Sequence, residues 1–363
     1  MANMDVGTPR FYTDQINYLL SRGAAQNGNF DVIATGGVFQ GLQTGTEAEL
    51  FDMNPLNKVD FDTSANTTDH VLITINTAGA FQKSYIAILN HNLATAVGKI
   101  RIFAGDLLSD VQTVDGGAAE TADINWATLV DAGDVVEIVN ADTITKATDS
   151  KSVVIEPAAD GSTIIEFPEQ ADTYWGIQFE GNTTNTGAAT DGTWGSTDLF
   201  LGCICIGEIF DAPVSPNLSL NRSISYDGVD VSESIGGHRY SNMRYYGKEV
   251  SSTTKAPFAT SIYKTSTHGG RISYDLSWSY LASTDLMPDE MHSITTGADD
   301  FVEDVWNKTN GPHIPFIFSC DKDSKGANAE SELIMARFAQ NSLSMDQVAY
   351  KLWSINFKIE EEL

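Results

Sequence analysis

The chain has 363 residues, 21 Lys and Arg against 49 Asp and Glu, and a net charge of −28, with 42% hydrophobic and 10% aromatic residues. That apolar share suits globular domains rather than disorder, and the length allows two domains with separate cores. The acidity opposes contact with phosphate backbones, and no stretch approaches the roughly eighteen apolar residues of a membrane-spanning helix, so neither nucleic acid nor a membrane span is expected.

The charge is uneven: residues 1–215 hold 8 Lys and Arg against 29 Asp and Glu, or −21, and residues 216–363 hold 13 against 20, or −7. Such an acidic first half favours solubility, tolerance of salt or capture of divalent cations. The opening MANMDVGTPRFYTDQ lacks a basic segment leading into an apolar one, which argues against Sec-type export. Residues 1–30 read as an extended arm or as a short helix from about Tyr12 to Arg22. Tyr12, Ile16, Leu19 and Leu20 fit the helical spacing, and Gly23 supplies a stop.

From about Asp31 to Pro213, short apolar stretches are divided by Gly, Asn, Asp and Thr. Val71, Ile73 and Ile75 alternate, as do Ile100 with Ile102, and Trp175 with Ile177 and Phe179. Ser84 to Leu89 is a continuous apolar run after a polar start, the pattern of a central strand buried on both faces. These features predict a jelly-roll-like β-sandwich over 31–215. Asp106 to Asp149 reads as an acidic insertion of surface loops and hairpins, and Gly181 to Asp198 as a turn-rich loop.

The prolines of APVSPNL set a boundary near Pro213 to Leu218. Beyond it, 216–363 reads as a second β-sandwich with one helix, so the fold class is mainly β. Ser219 to Tyr263 reads as hairpins with a turn at Gly236-Gly237. Arg271 to Tyr280 puts Ile272, Tyr274, Leu276, Trp278 and Tyr280 on one face of a strand. The helix is expected at about 285–308, with Asp285 as N-cap and Pro288 in the first turn. Met287, Met291, Ile294, Ala298, Phe301, Val302 and Val305 form its apolar stripe, and Gly297 is a point for a kink. In the closing KLWSINFKIEEEL, Trp353, Ile355, Phe357 and Ile359 share one face, while Glu360 to Glu362 read as a solvated end.

No constellation for chemistry stands out. Cys203 and Cys205 lie two apart on one strand face, too close for an unstrained bridge, and with Cys320 they read as small buried hydrophobes. The acidic pairs Asp131 with Asp134 and Asp321 with Asp323 offer weak surface sites for Ca²⁺, without the spaced loop that calcium prefers. The sequence has neither G-x-S-x-G nor a phosphate-binding loop, so no catalysis and no cofactor are expected. Asn90, His91 and Asn92 form the most suggestive polar cluster, either holding a turn or meeting sugar hydroxyls. Arg239, Tyr240, Arg244, Tyr245, Tyr246 and Lys248 interleave cations with aromatics, the composition of a subunit contact.

Several of these segments together resemble a family of tailed-bacteriophage structural proteins. They are LGCICIGEIFDAP (Leu201 to Pro213), SESIGGHRYSNMRYYGKEV (Ser232 to Val250), PFIFSCD (Pro315 to Asp321), MARF (Met335 to Phe338) and FKIEEEL. AFQKSYIAILNHNLATAVGKIRIFAG (Ala80 to Gly105) is similar to the strand–HNL–strand segment of that family's galactose-binding-like jelly-roll domains. The resemblance covers roughly residues 70–105 and 200–363. It implies a virion protein of the tail tip, hub or distal tail, assembled in the host cytoplasm into a homo-oligomeric ring that docks other tail proteins. The alternatives it leaves are a receptor-recognition module binding host surface glycan, and a capsid decoration or neck protein.

Overall fold

The computed structural model describes residues 7–24, 30–33, 41–65, 70–77, 81–112, 124–137, 142–147, 151–182, 192–225, 229–243, 248–250, 267–269, 271–288, 299–323 and 333–362. Strand β1 (Arg10–Asp14) runs into α1 (Gln15–Ser21). Next come β2 (Phe30–Ile33), β3 (Leu42–Thr44), β4 (Val59–Phe61), β5 (Val71–Asn76), β6 (Lys83–His91), α2 (Leu93–Ala96) and β7 (Gly98–Gly105). The first half ends with α3 (Trp126–Ala132), β8 (Val136–Glu137), β9 (Thr143–Lys146), β10 (Val153–Glu156), β11 (Gly161–Gln170), β12 (Tyr174–Gly181), β13 (Leu199–Leu201) and β14 (Cys203–Asp211).

The second half begins with β15 (Asn221–Ser225), β16 (Val229–Glu233), β17 (Arg239–Met243), β18 (Lys248–Val250) and β19 (Thr267–Gly269). It continues through β20 (Arg271–Ala282), α4 (Ser283–Leu286) and a π-helical turn at Val302–Asn307. Strands β21 (Phe316–Ser319), β22 (Leu333–Phe338), β23 (Ser344–Ala349) and β24 (Leu352–Glu361) complete it. The protein is mainly β, with antiparallel sheets in a sandwich-like arrangement.

A six-stranded sheet, β2-β5-β12-β7-β10-β9, packs on the β14-β6-β11-β8 end of an eleven-stranded sheet. The alternating residues explain the packing. Ile177 stands opposite Ile73 on one side and Ile102 on the other, and Val153 opposes Ile102 in the next strand. This row and Ile86, Ile88, Ile165, Ile204 and Ile206 of the facing sheet enter one core. Each such side chain stabilises the fold by roughly 1.5–3 kcal/mol on burial. Strand β6 is buried at all nine positions because its other face, Tyr85, Ala87 and Leu89, meets a second cluster with Tyr12, Cys203 and Cys205. Helix α3 adds Trp126 to the first core, edge-on to Trp175 and Phe167. The acidic insertion is therefore more than the surface loops and hairpins expected of it.

The large sheet does not stop at the first half. Its order continues through β1 into β21, β22, β24, β20 and β15. Strand β1 pairs with β14 from Arg10↔Asp211 to Asp14↔Gly207, and with β21 from Arg10↔Ser319 to Tyr12↔Ile317. The expected arm or helix beginning near Tyr12 is thus corrected: Tyr12 is a buried strand residue, and the helix starts at Gln15. Asp14 caps that helix by accepting from Asn17 N at 2.7 Å. Alternation overrode the helical spacing because a central position in the sheet satisfies both backbone edges of β1.

The second core lies between this sheet and helical segments. Phe11, Phe210, Trp278, Phe316, Phe318, Phe338 and Phe357 pack with Leu286, Phe301 and Val305. Three readings of this half are corrected. A register shift between Trp278 and Leu281 reverses the strand's phase, so Tyr280 is exposed and Leu281 buried. The helix expected over 285–308 breaks at Met287, which is extended at φ −132 and ψ 140. Pro288 causes the break, because a residue before proline is driven from the α region. Asp285 lies inside the first turn of α4, not at its N-cap. Met291, Ile294, Gly297 and Ala298 lie outside the described residues. Finally, Glu361 is buried, paired opposite Ala336, and accepts from Ile272 N at 3.0 Å, so that end is not wholly solvated. Trp353 only packs half-buried at the core's edge.

Candidate functional site

The Asn90–Asn92 cluster sits where β6 leaves the large sheet and the chain turns through α2 toward β7. Asn90 takes φ 55, a left-handed conformation that Asn tolerates better than most residues. Its Nδ2 donates to the Pro55 carbonyl at 2.6 Å, and its N–H donates to Ser162 Oγ at 3.2 Å. Asn92 Nδ2 donates to the Asp198 carbonyl at 2.7 Å, and its Oδ1 accepts from Phe200 N at 2.8 Å.

His91 closes a relay between elements. Its Nδ1 accepts from Leu93 N at 3.3 Å and its Nε2 lies 3.0 Å from Thr163 Oγ1. Thr163 Oγ1 gives its hydrogen to Asp142 Oδ2 at 2.8 Å, so it accepts from His91, which carries its proton on Nε2. Burial pushes His91 down to about 3 and Asp142 up to about 6, so the imidazole is neutral at ordinary pH. All three cluster residues are under 5% exposed, at 3%, 1% and 4%. Their hydrogen bonds are committed to pinning β6 to β11, β13 and the Pro55 loop. Thr163 and Asp142 lie far from His91 in sequence, and no local signal marks them as its partners.

The interleaved cations and aromatics lie elsewhere, on a hairpin. Strands β16 and β17 pair from Val229↔Met243 to Glu233↔Arg239 and form a sheet of their own. The turn falls at the expected glycines: Gly237 takes φ 80, and its N–H donates to the Ser234 carbonyl at 2.8 Å. From Asp230 to Asn242 every side chain is exposed except the half-buried Ser234, so both faces of the hairpin are wet. Val231 is 57% exposed, Tyr240 62% and Ile235, at the tip, fully exposed. Arg239 reaches Glu233 at 3.4 Å, a surface pair that contributes little. Of the predicted contact residues, Arg239 and Tyr240 stand on β17 and Lys248 opens β18; Arg244, Tyr245 and Tyr246 lie outside the described residues.

Charged clusters that the sequence did not announce are buried. Glu180 on β12 meets Lys99 at 3.2 Å and Arg101 at 2.9 Å on β7, with His70 at 3.7 Å. Lys308 lies between Glu208 and Asp304. Cys203 and Cys205 are free, buried and 3.9 Å apart at sulfur. Asp131 pairs with Lys146, and Asp321 Oδ1 accepts from Asp323 N at 3.1 Å. Among the described residues, no three His, Cys, Asp or Glu side chains converge as metal ligands would. Comparison with family models, with curated proteins and with solved structures finds no match to this chain.

Proposed function

We propose that this chain is a structural, non-catalytic protein of a tailed-phage virion, a tail tip, hub or distal tail component that closes into a ring of its own copies and docks neighbouring tail proteins. The observation that carries the assembly role is the β16–β17 hairpin. An isolated two-stranded hairpin is marginally stable in water, and among the described residues this one, from Asp230 to Asn242, buries neither face while displaying Val231, Ile235 and Tyr240. Earlier in the chain, Leu218 and, on edge strand β15, Ile224 are also exposed.

Charge favours the same surface. Residues 216–250 hold four Lys and Arg (222, 239, 244, 248) against four Asp and Glu (227, 230, 233, 249), a balance of zero in a chain of −28. Copies meeting through the −21 half would repel one another; copies meeting through the hairpin would not. A contact between the hairpin and a different surface of the next copy is heterologous and closes a ring when its rotation permits. The virion assignment rests on the segment resemblance.

Native mass measurement of the full chain tests the assembly role. Wild type is expected at one discrete oligomer mass. Val231→Asp with Ile235→Asp, both exposed, is expected to give a monomer of unchanged thermal stability. A wild type that stays monomeric at high micromolar concentration, or a variant that still assembles, overturns it.

A further inference from the structure

A buried ionic network joins the two halves, and its position is set by strand alternation. Along one face of β14, Ile204 and Ile206 enter the first core and Phe210 the second, leaving Glu208 between them. Lys308, just after the π-helical turn, reaches Glu208 and also lies 3.1 Å from Asp304 Oδ1. Asp304 Oδ2 accepts from Asp300 N at 3.1 Å, and Asp300 Oδ1 accepts from Glu303 N at 2.9 Å, a reciprocal cap on this helical segment. Among the described residues, nothing donates a hydrogen bond to the buried Asp300 Oδ2.

We propose that the helical segment from Asp300 to Thr309 is held on β14 by a latch that carries a bound proton on the Asp300–Asp304 pair, so that docking takes up a proton and rising pH loosens it. Glu208, Asp300 and Asp304 are all buried, and Lys308 is the ammonium that faces them. Three ionised carboxylates around one ammonium leave buried charge that protonation relieves.

Among the described residues, the surrounding groups do not cancel the excess. Glu303 and the exposed Asp299 add negative charge beside the pair, and Glu169 at the end of β11 adds more near Glu208. Lys83 on β6 acts on Glu208 from a distance, but its ammonium donates to the Phe81 carbonyl at 2.7 Å. On β1, Arg10 is bound to Asp211 and Glu166, and Asp14 caps α1. In agreement with the geometry, burial raises Asp304 to about 7 and Asp300 to about 6, while Lys308, paired with Glu208 and Asp304, stays charged.

The sign follows from these shifts. Carboxyls raised in the folded state contribute stability that is full below the unfolded values near 3.8 and is lost as pH rises through 6 to 7. Hydrogen exchange of amides 302–309 in the full chain between pH 5 and 8.5, corrected for intrinsic rates, tests this. Their opening constant is expected to rise between pH 5 and 7, by up to about tenfold per pH unit for one linked proton, and to level off above pH 7, where both states have lost it. Asp300→Asn with Asp304→Asn is expected to flatten that rise here while leaving it elsewhere. A flat wild type, or an unchanged slope in the double variant, overturns the latch. If the double variant does not fold, infrared spectra of wild type and Asp300→Asn decide. A protonated-carboxyl band at pH 6 that weakens in the variant supports the latch, and its absence from wild type refutes it.

Discussion

Phe11→Ala is the sharpest test of a single sheet joining both halves. Phe11 is fully buried on β1, with ring centroids 5.2 Å from Phe318, 5.6 Å from Phe316, 5.8 Å from Phe301 and 6.3 Å from both Phe210 and Phe357. Phe210 belongs to the last strand of the first half; the other four belong to the second. Truncating a fully enclosed phenylalanine costs about 3–5 kcal/mol through lost transfer energy and the cavity left behind. The upper part of that range is expected here, because several edge-to-face contacts vanish together. Hydrogen exchange read on β6 and on β24 reports the halves separately. Because β1 is hydrogen-bonded to β14 and to β21, protection is expected to fall in both strands. A total loss below about 1 kcal/mol, or a loss confined to β24, would refute the idea that β1 stitches the halves.

Gly207→Ala is expected to cost about 1–3 kcal/mol in a denaturant titration, since a Cβ there overlaps the Thr13 carbonyl oxygen and forces β1 from β14; an unchanged midpoint would contradict the register. His91→Ala is expected to cost about 1–3 kcal/mol by leaving Thr163 and the Leu93 N–H without their partner, with host-cell binding of assembled particles unchanged; selective loss of binding at unchanged stability would restore a glycan role for this turn. Because the folded His91 value, about 3, lies below the ordinary 6.5, its share of stability is full above pH 6.5 and is lost as pH falls toward 3. The same variant should therefore flatten that part of the stability curve, and an equal acid slope in both proteins would show that His91 is not buried neutral.

Where one physical rule governed a segment, the sequence was enough. Val71–Ile75, Ser84–Leu89, Ile100–Ile102 and Trp175–Phe179 declare their strands because alternation or continuous apolarity is dictated by the faces they bury. The Gly236-Gly237 turn is equally legible, since Gly237 needs a positive φ. Failures came where two local rules competed. Tyr12 fits a helical stripe with Ile16 and also a strand with Phe11 on the opposite face, and only the flanking β14 and β21 decide. Pro288 suits a first turn in one frame and terminates a helix in another.

The candidate site divides in the same way. Composition and spacing alone determined a mainly β chain, the strands of its first core, the unbridged state of its buried cysteines and the place of the hairpin with Arg239 and Tyr240. The tertiary structure decided that Asn90, His91 and Asn92 face inward, that Asp142 is the far end of the His91 relay, and that Glu208 meets Lys308 a hundred residues away. Local patterns record which face of an element is wet or dry, because that depends on neighbours two to four residues along the chain. Which buried charges meet depends on how strands distant in sequence are ordered in the sheet, and no local spacing carries that order.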